Sequence, residues 1–269
     1  MATSKRLKIA VGSVMLSNVH PHVASSLAAM LYYYGKKRPR DSLVLITPQR
    51  LEIASARNIA IDAAIKSGCD YFFWLDDDTV CESDTLVRLV KRLEKHQDIH
   101  MISPKYYVRG YPYSLMAFNG EGNEWTLGLD ESSVSPRDGL YRCKAIGNGC
   151  TLTRMNVFTS MSISFREKEW YRTGKYHTED VYFCAKAMSV IPDFKCAIDL
   201  TFSARHMLDV GWVDADNVEY NRLKYKLVTG IIEDPKRLDE VKALVDSWNL
   251  NIREGNIDLI SLDGSLGKI

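Results

Sequence analysis

No C-x-x-C pair occurs among the six cysteines of this 269-residue chain, at positions 69, 81, 143, 150, 184 and 196. That absence sets aside zinc ribbons and thioredoxin-like redox chemistry. Several of the cysteines sit in apolar stretches, which points to reduced core thiols rather than disulfides. No G-x-G-x-x-G follows the first apolar run, so a dinucleotide cofactor is not expected, and no Walker A motif is present to cradle a phosphate chain. Net charge is almost absent too: 35 Lys and Arg face 34 Asp and Glu. The chain therefore projects no overall field toward nucleic acid or an anionic membrane. No window is long or apolar enough to span a bilayer. The N-terminus, MATSKRLKIAVGSVML, has the superficial look of a signal peptide, but its apolar run is short and turns polar at Ser17-Asn18-Val19-His20. It reads as a first strand, and the protein is expected to be soluble and cytoplasmic.

What is present is organised around Tyr71–Val80, YFFWLDDDTV. Five apolar or aromatic residues, a run suited to a strand buried on both faces, lead straight into Asp76, Asp77 and Asp78. In open α/β sheets ligands gather outside the carboxyl ends of the strands. Three like charges crowded there raise the electrostatic energy unless a cation offsets it. Hard divalent ions such as Mg²⁺ or Mn²⁺ favour such oxygens.

Upstream, Lys8–Leu16 reads as a strand, and Val23, Leu27, Met30, Leu31 and Tyr34 repeat at helical spacing up to Gly35. Leu43–Thr47 is a second strand, and the Ala-rich segment from Leu51 to Gly68 a second helix. This βαβαβ alternation predicts a mostly parallel, Rossmann-like sheet flanked by helices. The basic run Lys36, Lys37, Arg38 and Arg40 reads as a solvated helix end, with a docking surface for a polyanionic acceptor as the second reading.

Downstream, Ser83 is a candidate cap for a helix carrying Leu86, Leu89, Val90 and Leu93. Two strands are expected around a turn at Gly110-Tyr111-Pro112, then a loop without periodicity over 119–140. Gly147-Asn148-Gly149 is a small-residue turn where backbone can approach a ligand. Thr178 is placed to cap a helix whose first turn holds Glu179 and Asp180, and His206 follows the strand Lys195–Phe202. A last helix is expected after Asp234-Pro235, with Leu238, Val241, Leu244, Val245 and Trp248 on one side. Trp170 and Tyr171 read as packing residues, with stacking on a sugar or base as the alternative.

The apolar strand ending in LDDD resembles the D-x-D motif of GT-A fold, family-2-like glycosyltransferases that use nucleotide-sugars, and the likeness extends from Lys8 to His206. It implies a GT-A catalytic core over 1–206, with a nucleotide-sugar half over about 1–105 and an acceptor half over about 106–206. A C-terminal helical extension, 207–269, would follow. By the resemblance Asp78 is the direct metal ligand, with Asp76 and Asp77 near the ribose or metal-bound water and Asp76 also in the metal set. Thr178-Glu179-Asp180 is similar to the x-E-D motif of inverting members, which makes Asp180, with Glu179 beside it, the catalytic base. His206 stands where many members carry a further metal ligand. Gly147 and Gly149 resemble the glycine segment beside the donor diphosphate, and Arg57 and Asn58 a segment near the nucleotide. The implied cofactor is Mn²⁺ or Mg²⁺. The implied donor is a nucleoside-diphosphate-sugar, and the acceptor a glycan or other hydroxyl compound, with a modified nucleic-acid base as a further option.

The chemistry fits those roles. Sugar transfer leaves negative charge on a departing phosphate, which a Lewis-acidic ion stabilises, and an acceptor hydroxyl needs a base within hydrogen-bond reach. Two rival readings stay open. DDDTV also matches the D-x-D-x-V/T opening of haloacid-dehalogenase-like phosphotransferases with Asp76 as nucleophile, although here it falls on the third strand and no G-D-x-x-x-D follows. The other is a non-catalytic nucleotide-sugar-binding module.

Overall fold

The structure is a computed structural model and describes residues 5–14, 19–48, 51–121, 124–128, 138–175, 177–208, 212–228, 239, 258–260 and 266–268. The first half alternates strand and helix: β1 (Lys8–Gly12), α1 (Pro21–Lys37), β2 (Ser42–Ile46), α2 (Ile53–Lys66) and β3 (Tyr71–Leu75). It continues with β4 (Thr79–Val80), α3 (Thr85–Lys95) and β5 (Met101–Lys105). The second half holds β6 (Ala117–Glu121), β7 (Glu124–Leu127), β8 (Leu140–Cys143), β9 (Ala145–Ile146), β10 (Cys150–Arg154), α4 (Met155–Phe165) and α5 (Glu179–Met188). After these come β11 (Cys196–Ser203), β12 (Arg205–Met207), β13 (Trp212–Val213), α6 (Val218–Val228), β14 (Asp258–Ile260) and β15 (Leu266–Lys268).

The central sheet has seven strands in the order β2-β1-β3-β10-β5-β11-β8. β1, β2 and β3 run parallel, as do β5 and β11, while β10 and β8 run against their neighbours. The expected α/β architecture, a large and mostly parallel sheet flanked by helices, is borne out. β3 lies inside this sheet and is buried along its whole length. Its side chains alternate, as the pleat requires. Phe72 and Trp74 join Ala56, Ala60, Phe158 and Phe183 from α2, α4 and α5, whereas Tyr71, Phe73 and Leu75 join Met30, Leu86, Leu89 and Leu93 from α1 and α3. An unbroken apolar run is what such two-sided burial demands.

Several local expectations are corrected. The first helix runs past Gly35 to Lys37, because Arg38 supplies the terminal N–H to the Tyr34 carbonyl. The third helix is preceded by Asp84 rather than Ser83, without a side-chain cap. Arg38 of the basic run is held by Asp41 and Glu94. Within the segment expected to be a loop, 119–140, the described residues contain a β-hairpin: β6 pairs with β7 at Phe118–Leu127 and with β9 on its other side. Within 207–269, the stretch expected as a helical extension, the described residues include α6 and a hairpin of β14 with β15. The helix expected around Asp234–Trp248 lies outside the described residues, apart from residue 239.

One tie fixes α2 to the segment before α5. Asn58 Nδ2 donates to the Tyr171 carbonyl at 2.8 Å, and its Oδ1 accepts the backbone N–H groups of Trp170 and Tyr171, each at 2.9 Å. Trp170 and Tyr171 are buried against Phe158 and Phe183, so both act as packing residues. Asn58→Ala strips three hydrogen bonds and leaves two backbone donors without their acceptor. It is expected to lower unfolding free energy by about 2–4 kcal/mol, read from urea denaturation.

Candidate functional site

The carboxylates emerge at the carboxyl end of β3, and the antiparallel strand β10 is registered so that Cys150 faces Leu75. That register lays the glycine turn against them, and the Asp76 N–H donates to the Gly149 carbonyl at 2.9 Å. Past the acids the chain turns into β4, which pairs with β12 so that His206 lies opposite Thr79. This pairing joins points of the chain more than a hundred residues apart and sets His206 beside Asp78, with His206 Nε2 3.4 Å from Asp78 Oδ2.

His206 is held by its other nitrogen. Nδ1 lies 2.7 Å from the Tyr107 carbonyl, a partner that can only accept, so Nδ1 carries a hydrogen. That anchor leaves Nε2 as the ring nitrogen facing the Asp78 carboxylate. Asp78 Oδ2 also receives the Arg109 guanidinium at 3.1 Å. Burial pushes the Asp78 carboxyl upward, but the hydrogen bond and charge of His206 and the Arg109 cation outweigh it and hold the group below its usual range.

Behind this pair is a buried network. Arg57, on α2, is 1% exposed and lies over the Trp74 ring, 4.8 Å from its centroid. Its Nη2 donates to Asp76 Oδ2 at 3.0 Å and its Nε to Glu179 Oε1 at 3.2 Å. Burial alone would lower its pKa, but the charges of Asp76, Asp180 and Glu179 raise it, so it stays a cation. Glu179 and Asp180 open α5 and are both buried, and Asn148 of the glycine turn donates to Asp180 Oδ1 at 2.7 Å. Burial raises the Asp180 carboxyl well above the usual carboxylate range. The Glu179 and Asp76 charges add to the rise, while Arg57 and the Asn148 hydrogen bond oppose it. Arg57 Nη1, Asp76 Oδ1 and Asn148 Oδ1 are buried without a protein partner.

The structure thus gathers Asp76, Arg57, Glu179 and Asp180 into one network and Asp78 with His206 into an adjoining pair. Asp76, expected as a metal ligand beside Asp78, gives Oδ2 to Arg57 and retains only Oδ1 free of protein partners. Asp77 occupies the turn between them, partly buried. Arg57 and Asn58, expected near the nucleotide, are turned inward, Arg57 as counter-ion and Asn58 as a backbone clamp. The glycines of the turn answer to a neighbouring side chain. A Cβ on Gly147 would lie 2.3 Å from the Tyr106 hydroxyl and 2.4 Å from Met116 Cε, and the Gly149 N–H donates to the Tyr106 hydroxyl at 3.0 Å. Tyr106 and Arg109 were not foreseen, since a tyrosine after a buried strand and an arginine in a polar turn carry no local signature.

Among the described residues no group of three or more His, Cys, Asp or Glu is gathered closely enough to hold a metal. Asp78 and His206 nevertheless offer a hard oxygen and an oriented imidazole nitrogen. That two-ligand set fits Mn²⁺ or Mg²⁺ when phosphate oxygens and water complete the shell.

Comparison with a protein-family model agrees with the fold and the general chemistry. Residues 25–155 match the family model of glycosyl transferase family 2. The matched stretch contains Arg57, the three aspartates and the glycine turn, and it ends before Glu179, Asp180 and His206. Over that stretch it bears out the likeness drawn from the motifs, and it supports glycosyl transfer in general terms. No curated protein matches. The chain is similar to the solved structure described as "Crystal Structure of A197 from STIV", at 16% identity over 76% of this chain and 87% of that one, with a TM-score of 0.48.

The raised Asp180 carboxyl has a consequence for stability. Its folded pKa lies above the unfolded value of about 3.9, so its contribution favours the fold below that value and is lost as pH rises through the folded pKa. Asp180→Asn keeps an acceptor for Asn148 and removes the ionisation. The variant is expected to melt higher than the wild type, by a margin that widens from about pH 4 upward. Melting curves across pH check this, and a margin constant with pH contradicts it.

Proposed function

We propose, from the glycosyl transferase family 2 match over residues 25–155, that this protein moves a sugar from a nucleoside-diphosphate-sugar to an acceptor hydroxyl with the help of Mn²⁺ or Mg²⁺. The observation that carries the proposal is the approach of His206 Nε2 to Asp78 Oδ2, 3.4 Å apart, at the end of β3. No local signal asks a histidine after β11 to meet that aspartate. The β4–β12 pairing exists at this position and brings the two side chains together.

In this reading Asp78 and His206 hold the divalent ion, which when bound would supply Lewis-acid stabilisation of the charge left on the departing diphosphate. Asp180 takes the proton of the acceptor hydroxyl, and its position at the N-terminus of α5 suits inversion at the sugar carbon. Asn148 fixes the Asp180 carboxylate, and its unpartnered Oδ1 is available for a ligand hydroxyl. Arg57 bridges Asp76 and Glu179, so the donor and acceptor sides share one counter-ion. Burial of Asp180 strengthens it as a base once ionised, because a higher pKa means a stronger affinity for the transferred proton. The ion pair of Asp76 with a buried arginine speaks against Asp76 as the nucleophile of a phosphotransferase. The acceptor half is assigned to about 106–206, and the acceptor to a glycan or another hydroxyl compound. Among the described residues no helix is long and apolar enough to cross a membrane. All six cysteines are free and buried, which suits the reducing cytoplasm.

Asp78→Ala is expected to abolish Mn²⁺-dependent binding of the nucleotide-sugar, measured by calorimetry. Asp180→Asn is expected to leave donor binding intact and to cut transfer by roughly 10²–10⁴, the scale of general-base help. Wild-type transfer is expected to rise with pH through an apparent pKa above the ordinary carboxylate range, as the raised Asp180 carboxyl requires. Transfer by Asp180→Asn at the wild-type rate removes Asp180 from the role of base.

A further inference from the structure

Asp78 Oδ2 has two nitrogen neighbours, and they differ in kind. His206 is fixed from behind by the Tyr107 carbonyl and belongs to the paired strands. Arg109 reaches in from the tip of a hairpin, with its side chain 57% exposed, and meets the same oxygen at 3.1 Å. The backbone beneath it is tied down. Tyr107 bridges to Leu115, Val108 N donates to the Ser114 carbonyl at 3.0 Å, and Tyr113 N donates to the Gly110 carbonyl at 2.7 Å. From outside, Arg222 of α6 donates to the carbonyls of Pro112 and Tyr113, and Tyr225 stacks on Tyr111 with centroids 4.3 Å apart. The hairpin is braced, and Arg109 can change partners by rotating its side chain alone.

We propose that Arg109 is a built-in substitute for the divalent cation at Asp78, and that its guanidinium leaves the carboxylate when the ion binds and grips the donor diphosphate instead. The proposal rests on the reading of Asp78 and His206 as the cation site and adds a residue to it. Arg109 sets a full positive charge 3.1 Å from the oxygen that the ion would take. A divalent ion on the same oxygen would place like charges a few ångströms apart, and the arginine is expelled. Expulsion is easy, because a half-exposed pair is weak in water. The freed guanidinium then faces the ligand with which the ion arrives. A diphosphate carries more negative charge than one cation of charge two offsets, and the planar fork of arginine matches its oxygens. Arg57 cannot take that role, since it is sealed beneath Asp76 and committed to Asp76 and Glu179. Arg109 stands on the open side of Asp78.

Two affinities are therefore expected to move in opposite directions. In Arg109→Gln, Mn²⁺ alone, followed by the electron-paramagnetic-resonance signal of the free ion, is expected to bind roughly three- to fivefold more tightly than to the wild type, the scale of a surface pair removed. With Mn²⁺ saturating, UDP and GDP are each titrated by calorimetry, and the diphosphate that the wild type binds is expected to bind Arg109→Gln about tenfold or more weakly. Arg109→Lys keeps the charge without the fork, and is expected to hold Mn²⁺ near the wild-type affinity while losing part of the diphosphate affinity. If Asp78→Asn weakens Mn²⁺ but Arg109→Gln changes neither titration, the cation site stands and the role of Arg109 is overturned. If Asp78→Asn binds Mn²⁺ like the wild type, or neither diphosphate binds the wild type with Mn²⁺, the cation site itself fails and the role of Arg109 with it.

Discussion

Everything at the carboxyl end of β3 depends on how negative charge is neutralised there. Asp76, Asp77, Asp78, Glu179 and Asp180 meet at one end of a sheet, where burial strengthens their repulsion. The fold meets this with positive charge at two depths. Inside, Arg57 lies on the Trp74 ring and takes both Asp76 and Glu179, an arrangement an arginine sustains because its delocalised cation tolerates burial and aromatic contact. Outside, Asp78 is left to His206 and Arg109, neither of which is sealed from solvent. The inner cation is sealed in the core, whereas the outer one, on our proposal, exchanges with a metal ion, a division that would separate a scaffold from a binding site.

The same division explains which parts of the molecule could be read from the chain. β3 was legible because five apolar residues in a row have few uses other than a strand covered on both sides, and the alternation before it implied crossovers. The hairpin β6–β7 was not, because Asn119, Gly120 and Gly128 look like loop chemistry and the pairing partner, β9, comes later in the sequence. Asp78 and His206 could be joined only through likeness to a family. Their proximity depends on the β4–β12 register, a long-range pairing of two very short strands that leaves no local trace. The buried pairing of Arg57 with Asp76 and Glu179 was hidden as well. A lone arginine in an Ala-rich helix looks solvent-facing or ligand-facing, and nothing nearby in sequence shows that two carboxylates lie over it. The glycine turn was located correctly, but the crowding that requires glycine comes from Tyr106 and Met116.

Beyond the core, α6 is joined to the outer side of the site. Arg222 and Tyr225 brace the hairpin that carries Arg109, and the same hairpin supplies the carbonyl that orients His206. The region after β12 therefore bears on the Asp78–His206 pair through one compact piece of backbone. Rigidity in that piece and freedom in the Arg109 side chain are both needed if a single aspartate oxygen is to serve an arginine at one moment and a metal ion at the next.

The most direct measurement is an anomalous-difference map from a crystal of this protein soaked with Mn²⁺ and the nucleoside diphosphate it binds. The account predicts one strong manganese peak between Asp78 Oδ2 and His206 Nε2, within bonding distance of both, with the Arg109 side chain turned away from Asp78. A manganese peak elsewhere, or an Asp78–Arg109 pair still intact beside a bound diphosphate, would contradict it.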